Sequence, residues 1–189
     1  MHTTNERLKM SLYAALMAGI TAILAQLTIP LPLVPITGQT LAIGLCATIL
    51  GSRYGTLAVA LYVAMGAIGL PVFSEAKGGF SILIGPTGGY IIGFIISAYL
   101  TGLLLEKTRF SLAPAVAANI IGMVITLIFG AVQLKFAASL TWDQALSGGV
   151  YPFLVVGVIK AVLASILGIT IRKRLLAAKL LPLHETKAA

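Results

Sequence analysis

Six long apolar stretches, separated by short segments rich in glycine, proline and charge, dominate the chain. They cover residues 11–28, 39–51, 56–70, 89–105, 113–134 and 151–171. A helix that crosses a membrane at right angles needs about 20 apolar residues. The second and third stretches are shorter, so they must recruit flanking residues or lie where other helices shield them. The pattern predicts an all-α membrane protein with a bundle of six transmembrane helices, forming one integral membrane domain over residues 1–189.

Composition and charge support this fold class and add an orientation. Of the 189 residues, 59% are hydrophobic and only 10% are charged, which is more apolar than a soluble domain requires. Membrane proteins keep lysine and arginine in their cytoplasmic loops, and with six crossings one side of the membrane receives nearly all of these residues. We therefore expect both termini in the cytoplasm. The outer side receives Lys77 and Lys135, and the inner side receives Arg7, Lys9, Arg53, Lys107, Arg109, Arg172, Lys173, Arg174, Lys179 and Lys187.

The polar residues argue against an enzyme and against a nucleic-acid partner. The five acidic residues all lie outside the six apolar stretches, and Cys46 is the only cysteine. No carboxylate pair, metal cluster or nucleophile with its base can be assembled inside such a bundle, so we expect neither a catalytic centre nor a metal or cofactor. The net charge of +8 follows from the membrane orientation, and basic patches interleaved with aromatic residues, which would indicate nucleic-acid binding, are absent.

Lys160 is a lone cation in the middle of the last apolar stretch. Charged side chains inside a membrane are costly and usually functional. Helical side chains lean toward the helix N-terminus, so the ammonium should reach back toward Tyr151, over the space that Gly157 leaves open. This arrangement predicts a site for an anionic group. The alternative is that Lys160 extends to the membrane surface without a ligand, which its depth permits only in part.

Irregular segments rich in glycine and proline cover residues 30–39, 71–90 and 135–152, all on the predicted outer side. Non-helical backbone near a membrane is tolerated where protein buries it or where it lines a cavity. We therefore expect a ligand vestibule that opens outward. Candidate contributors are Thr37 and Gln39, whose amide could meet a polar ring, and Gly88, Gly89 and Tyr90, where a ligand could approach the backbone. Their alternatives are helix capping by Thr37 and a simple turn before a helix.

Small residues repeat along the first helix at Ala14, Ala18 and Ala22. Such a stripe lets a second helix approach closely, so this face is a candidate docking surface for a partner. Packing inside the same bundle is the alternative.

Three motifs in order resemble the BioY family, the biotin-binding S components of energy-coupling factor (ECF) transporters. They are VPITGQTLAI at 34–43, GLPVF at 69–73 and GPTGGY at 85–90. The resemblance implies the six-helix S-component fold in the bacterial cytoplasmic membrane, biotin bound near the external surface, and coupling to a transmembrane scaffold subunit and two cytoplasmic ATPases. It also implies that small residues of the first helix contact the scaffold, as the Ala14-x-x-x-Ala18 pattern would.

The last helix departs from the pattern of the family. Relatives carry approximately PFxPGDxxK, with both the aspartate and the lysine facing biotin; this chain keeps Lys160 but has Gly157 where the aspartate is expected. We expect Lys160 to bind the carboxylate of biotin, to be held by water when no ligand is bound, and Lys77 to contribute from a loop. The alternatives are an S component for another vitamin, or a membrane assembly subunit that does not transport.

Overall fold

The computed structural model describes residues 4–181, and Lys187 lies outside this range. The fold is a bundle of helices with one short antiparallel hairpin, in which β1 (Thr28–Ile29) pairs with β2 (Ile36–Thr37). The helices are α1 (Thr4–Ala25), α2 (Gln39–Ala67), α3 (Phe80–Ile84), α4 (Gly88–Lys107), α5 (Leu112–Ala137), α6 (Trp142–Gly149) and α7 (Tyr151–Ala177), and a 3-10 turn covers Ser74–Ala76.

Helix α2 folds back on itself at Gly51. This residue has φ 80° and ψ −171°, which no helix contains. The Gln39 Nε2 donates a hydrogen bond to the Tyr62 hydroxyl at 2.5 Å, although the residues are 23 positions apart; in a continuous helix they would lie roughly 35 Å apart at 1.5 Å per residue. Helix α2 is therefore two antiparallel arms, residues 39–50 and 52–67.

Five helices of the described chain are long and apolar enough to cross a membrane. Because one of them is the folded α2, they supply six crossing segments, which confirms the fold class predicted from the sequence. The two arms of α2 are the short segments. In α2, 83% of an apolar stretch of 18 residues is buried inside the bundle. The two arms pack against α1, α4 and α7. The other helices shield the short arms from lipid, as their length requires.

Opposite charges from two neighbouring helices hold the turn at Gly51. The Glu106 carboxylate, at the end of α4, accepts hydrogen bonds from the Ser52 backbone N at 2.7 Å and from the Ser52 Oγ at 2.6 Å. Arg172, on α7, is only 4% exposed and donates to the Ile49 carbonyl oxygen. An anion thus meets the N-terminus of the second arm and a cation meets the C-terminus of the first, as the helix dipoles favour. We call this end of the bundle the hairpin end.

The opposite end, which we call the cavity end, contains the β-hairpin, the 3-10 turn, α3 and α6. Glutamine side chains tie these irregular segments to the long helices. Gln26 accepts a hydrogen bond from the Ala76 backbone N at 2.9 Å and donates to the Phe73 carbonyl at 3.0 Å. Gln133, on α5, donates to the carbonyls of Leu83 and Gly85. The irregular segments are therefore fixed by polar contacts, three of them part-buried and one exposed.

The small residues of α1 do not form the exposed surface that the sequence suggested. Ala14 is fully buried and Ala18 is 1% exposed, because this face packs against α2. Ala22 is half-buried. The stripe therefore serves packing inside the bundle. The small residues that remain exposed on α1 are Ser11, Ala15 and Gly19, one helical turn apart.

Candidate ligand cavity

A cavity of about 450 Å³ opens at the cavity end of the bundle. Its volume lies within the range of about 300 to 1,000 Å³ that is typical of small-molecule sites. The loop before α2 and the 3-10 turn form its rim, and α4, α5 and α7 form its walls. Two of the three irregular segments predicted to build a vestibule, residues 30–39 and 71–90, contribute to it. The third, residues 135–152, does not.

Lys160 lines the cavity from α7, and its ammonium donates a hydrogen bond to the Thr37 carbonyl oxygen at 2.7 Å. The expectation that water holds the ammonium when no ligand is bound did not include this acceptor, which the backbone before α2 supplies. No carboxylate pairs with Lys160 among residues 4–181. The cavity thus presents a half-buried cation whose charge is not neutralised by the protein.

Thr37 and Gln39 both line the cavity and belong to one hydrogen-bond network. The Thr37 hydroxyl donates to the Gln39 Oε1 at 2.8 Å, and the Gln39 Nε2 donates to the Tyr62 hydroxyl at 2.5 Å. Gly38, rather than Thr37, is the N-cap of α2. Tyr62 is fully buried. Its ring and that of the cavity residue Phe73 pack edge to face, with centroids 5.6 Å apart. The sequence did not single out Tyr62, although a tyrosine hydroxyl in mid-helix needs a partner.

The glycine pair at the start of α4 lies behind the cavity wall. A side chain at Gly88 would overlap the Leu83 carbonyl, and one at Gly89 would overlap the Phe129 carbonyl. Both glycines therefore allow backbones to pack closely, and neither lines the cavity. Tyr90 does line it through its ring, while its hydroxyl donates to the Gly149 carbonyl at 2.7 Å.

Lys77 and Gly157 line the cavity at different depths. Lys77, on the rim, forms an ion pair with Glu75, and their side chains are 56% and 40% exposed. Gly157 lies on α7, one turn before Lys160. The sequence suggested that Gly157 leaves open space beside it. In the structure the Met123 side chain fills that space, because a Cβ at Gly157 would overlap the Met123 Sδ. Met123 therefore occupies the position where an aspartate side chain would project.

Most of the remaining wall is apolar, and the sequence did not predict it. Polar residues also contribute, namely Thr40, Ser74, Glu75, Thr87 and Thr126. The apolar residues include Phe73, Ile82, Phe94, Leu127, Phe153 and Val156. Phe73 lies within the GLPVF motif and Phe153 follows Pro152, so these motifs were the available signal. Among the described residues there is no cluster of His, Cys, Asp or Glu that could hold a metal ion. The cavity suits a small molecule that has an anionic group, an apolar body and a polar group for the amide network.

Comparison with known proteins gives consistent results. The profile of the BioY family matches residues 1–177. "Biotin transporter BioY2" of Lactococcus lactis is 40% identical over 161 residues, covering 85% of this chain and 88% of that relative. "Biotin transporter BioY" of Thermotoga maritima is 41% identical over 160 residues, covering 85% and 94%. The crystal structure of the S-component for biotin from an ECF-type ABC transporter matches with a TM-score of 0.83 and 30% identity, covering 92% of this chain and 95% of that one.

Proposed function

Because the chain belongs to the BioY family, we propose that it is the substrate-capture (S) component of an ECF-type biotin transporter. It binds biotin from the external side of the bacterial cytoplasmic membrane and delivers it with energy from partner subunits. It is a substrate-binding subunit and not an enzyme. Relatives that carry the name biotin transporter and a solved S-component for biotin support this function.

Within the cavity, Lys160 is the main support for this proposed function. A half-buried ammonium with a carbonyl partner and no described carboxylate favours an anionic ligand. Biotin supplies a carboxylate for Lys160, an apolar chain and ring for the aromatic and aliphatic walls, and a ureido group for the hydroxyl and amide groups of Thr37 and Gln39. Tyr90 packs against the ligand body through its ring. Lys77 lines the rim, where it is exposed and paired with Glu75, so its contribution to binding is small.

The test is a titration of purified protein with biotin and with biotin amide, which lacks the negative charge. Removing one partner of a buried charge pair costs about 2 to 5 kcal/mol, so Lys160→Ala should weaken biotin binding by roughly 30-fold to several thousand-fold. Biotin amide should lose a similar factor against the parent protein and little more against Lys160→Ala, because both changes remove one interaction.

Lys77→Ala is the matched control, since Lys77 also lines the cavity but is exposed and paired with Glu75. It should change the affinity only slightly. Equal amide penalties in the parent and in Lys160→Ala would show that another group binds the carboxylate. Preference for thiamine or riboflavin over biotin would overturn the substrate, and binding of no vitamin would favour a non-transporting subunit.

The membrane orientation and the partners are part of the same proposal. The inner basic residues expected from the sequence, such as Arg53, Lys107 and Arg109, lie at the hairpin end, which supports placing this end and both termini in the cytoplasm. The scaffold subunit of the ECF module contacts the exposed side of α1, where Ser11, Ala15 and Gly19 permit close helix approach. Two cytoplasmic ATPases supply the energy.

A further inference from the structure

A second, smaller cavity of about 20 Å³ lies directly beneath the ligand cavity. The lining residues that it does not share with the ligand cavity lie about one turn further from the cavity end: Ile43, Gly44, Ser97, Asn119 and Ala161. Six residues line both cavities, so the two adjoin: Thr40, Phe94, Met123, Thr126, Gly157 and Lys160. A cavity of this volume has room for at least one water molecule. Lys160 thus lies between the Thr37 carbonyl on one side and this small cavity on the other.

Three buried polar side chains that face the small cavity have hydrogen-bonding capacity that no described residue satisfies. Ser97, Thr126 and Asn119 are 6%, 3% and 6% exposed. The hydroxyls of Ser97 and Thr126 make no hydrogen bond with the described part of the chain, whereas other buried hydroxyls, such as that of Ser165, bond to a carbonyl one turn earlier. Neither oxygen is among the fully buried atoms that lack a partner in the described chain, which are limited to Arg172 Nε, so both oxygens adjoin space that a water molecule can reach. A hydroxyl in so buried a residue gains from such a partner.

The hydrogen bonds of the Asn119 amide fix its orientation, so that its Oδ1 faces the small cavity as an acceptor. Its Nδ2 donates to the Ala115 carbonyl at 2.9 Å and lies 3.0 Å from the Thr48 Oγ1 and 3.1 Å from the Ser165 Oγ. A carbonyl oxygen can only accept, so the amide cannot be reversed. The Oδ1 therefore points away from these partners, toward Gly44, which also lines the small cavity. No described residue donates to it.

We propose that the small cavity is a water site that hydrates the Lys160 ammonium from beneath the ligand. The cavity has the room and polar partners that a buried water needs, two hydroxyls, one amide oxygen and the ammonium. The ammonium has three N–H donors. One donates to the Thr37 carbonyl, one is available to the ligand, and the third donates to this water.

The water contributes most when ligand is bound. Without ligand, solvent in the open cavity can hydrate the ammonium. When biotin fills the cavity it displaces that solvent, and the water beneath is then the remaining acceptor for the third N–H. Loss of the water should therefore cost the bound state more than the free state, and affinity should fall. This step rests on the proposed function, whereas the existence of the water site does not.

Two measurements test the proposal. A high-resolution crystal structure of the full chain should show a water within about 2.7 to 3.2 Å of at least two of Ser97 Oγ, Thr126 Oγ1 and Asn119 Oδ1. A dry cavity in that map would overturn the water site. This outcome holds whether or not the protein binds biotin, so it separates failure of the water site from failure of the proposed function.

The second measurement is biotin affinity in the double variant Ser97→Ala with Thr126→Val. A hydrogen bond to a charged group contributes about 1.5 to 3 kcal/mol, so the affinity should fall about tenfold or more. Thr101→Val is the matched control, because Thr101 is a buried threonine of α4 that bonds to the Ala118 carbonyl and lines neither cavity. Its biotin affinity should match that of the parent.

In a Lys160→Ala background, the double variant should cost little further affinity, because the water acts through the ammonium. An undiminished loss in that background would show that Ser97 or Thr126 contacts the ligand directly, and would overturn hydration of Lys160 as the role of the site. Unchanged affinity of the double variant in the parent protein would overturn it as well.

Discussion

Gly51→Ala should strongly destabilise the protein, because this glycine makes the turn between the two arms of α2. Its φ of 80° with ψ −171° is a conformation that other residues adopt only at a cost of about 1 to 3 kcal/mol. An added Cβ would also overlap the Glu106 Oε1, which accepts from the Ser52 backbone N. Losing such a cap costs about 0.5 to 2 kcal/mol. The free energy of unfolding should therefore fall by about 1.5 to 5 kcal/mol.

Two glycine variants separate these contributions. Gly69→Ala introduces a side chain at φ 104° with no heavy atom within 4 Å, so it should cost only the backbone strain of about 1 to 2 kcal/mol. Gly19→Ala lies in α1, also with nothing within 4 Å, and should stabilise the helix by about 0.5 to 1 kcal/mol. The assay is unfolding of detergent-solubilised protein by added sodium dodecyl sulfate, followed by circular dichroism.

The contribution of Glu106 can be isolated with a double-mutant cycle. In a Glu106→Ala background the overlap no longer exists, so Gly51→Ala should cost only its backbone strain. The reasoning would be refuted if Gly51→Ala were no more destabilising than Gly69→Ala, or if its cost were the same with and without the Glu106 carboxylate.

Three further predictions follow from the packing. Ala14→Trp should destabilise the fold by at least about 1 to 3 kcal/mol, because Ala14 is fully buried. Ala15→Trp, by contrast, should leave biotin binding intact and reduce uptake in cells that contain the ECF module. Calorimetry measures the stability and the biotin binding of the two variants, and an uptake assay measures their transport. Tyr62→Phe removes the partner of the Gln39 amide, so titration should show biotin affinity about 2-fold to 10-fold lower. The Arg172 guanidinium donates to the Ile49 carbonyl and stacks on the Phe110 ring, 3.6 Å from its centroid. A lysine cannot do both, so Arg172→Lys should lower the unfolding midpoint.

Local features of the sequence determined the transmembrane architecture. A run of apolar residues predicts a crossing by its length alone, and glycine and proline predict where the crossings end. The break near Gly51 was found in this way, since two short stretches flank it. Lys160 was also found from the sequence, because a charge inside an apolar stretch is exceptional whatever surrounds it. The three motifs placed Thr37, Gln39 and Tyr90 close to a ligand site.

Tertiary structure alone decided which face of each helix points inward. In a membrane helix both the lipid-facing and the bundle-facing sides are apolar, so the sequence could not tell that Ala14 is buried while Ala15 is exposed. The same limit applies to space between helices. The sequence could not show that Met123 fills the volume beside Gly157, or that the Thr37 carbonyl reaches Lys160. These contacts join residues far apart in the chain, and their geometry depends on how all the helices pack together.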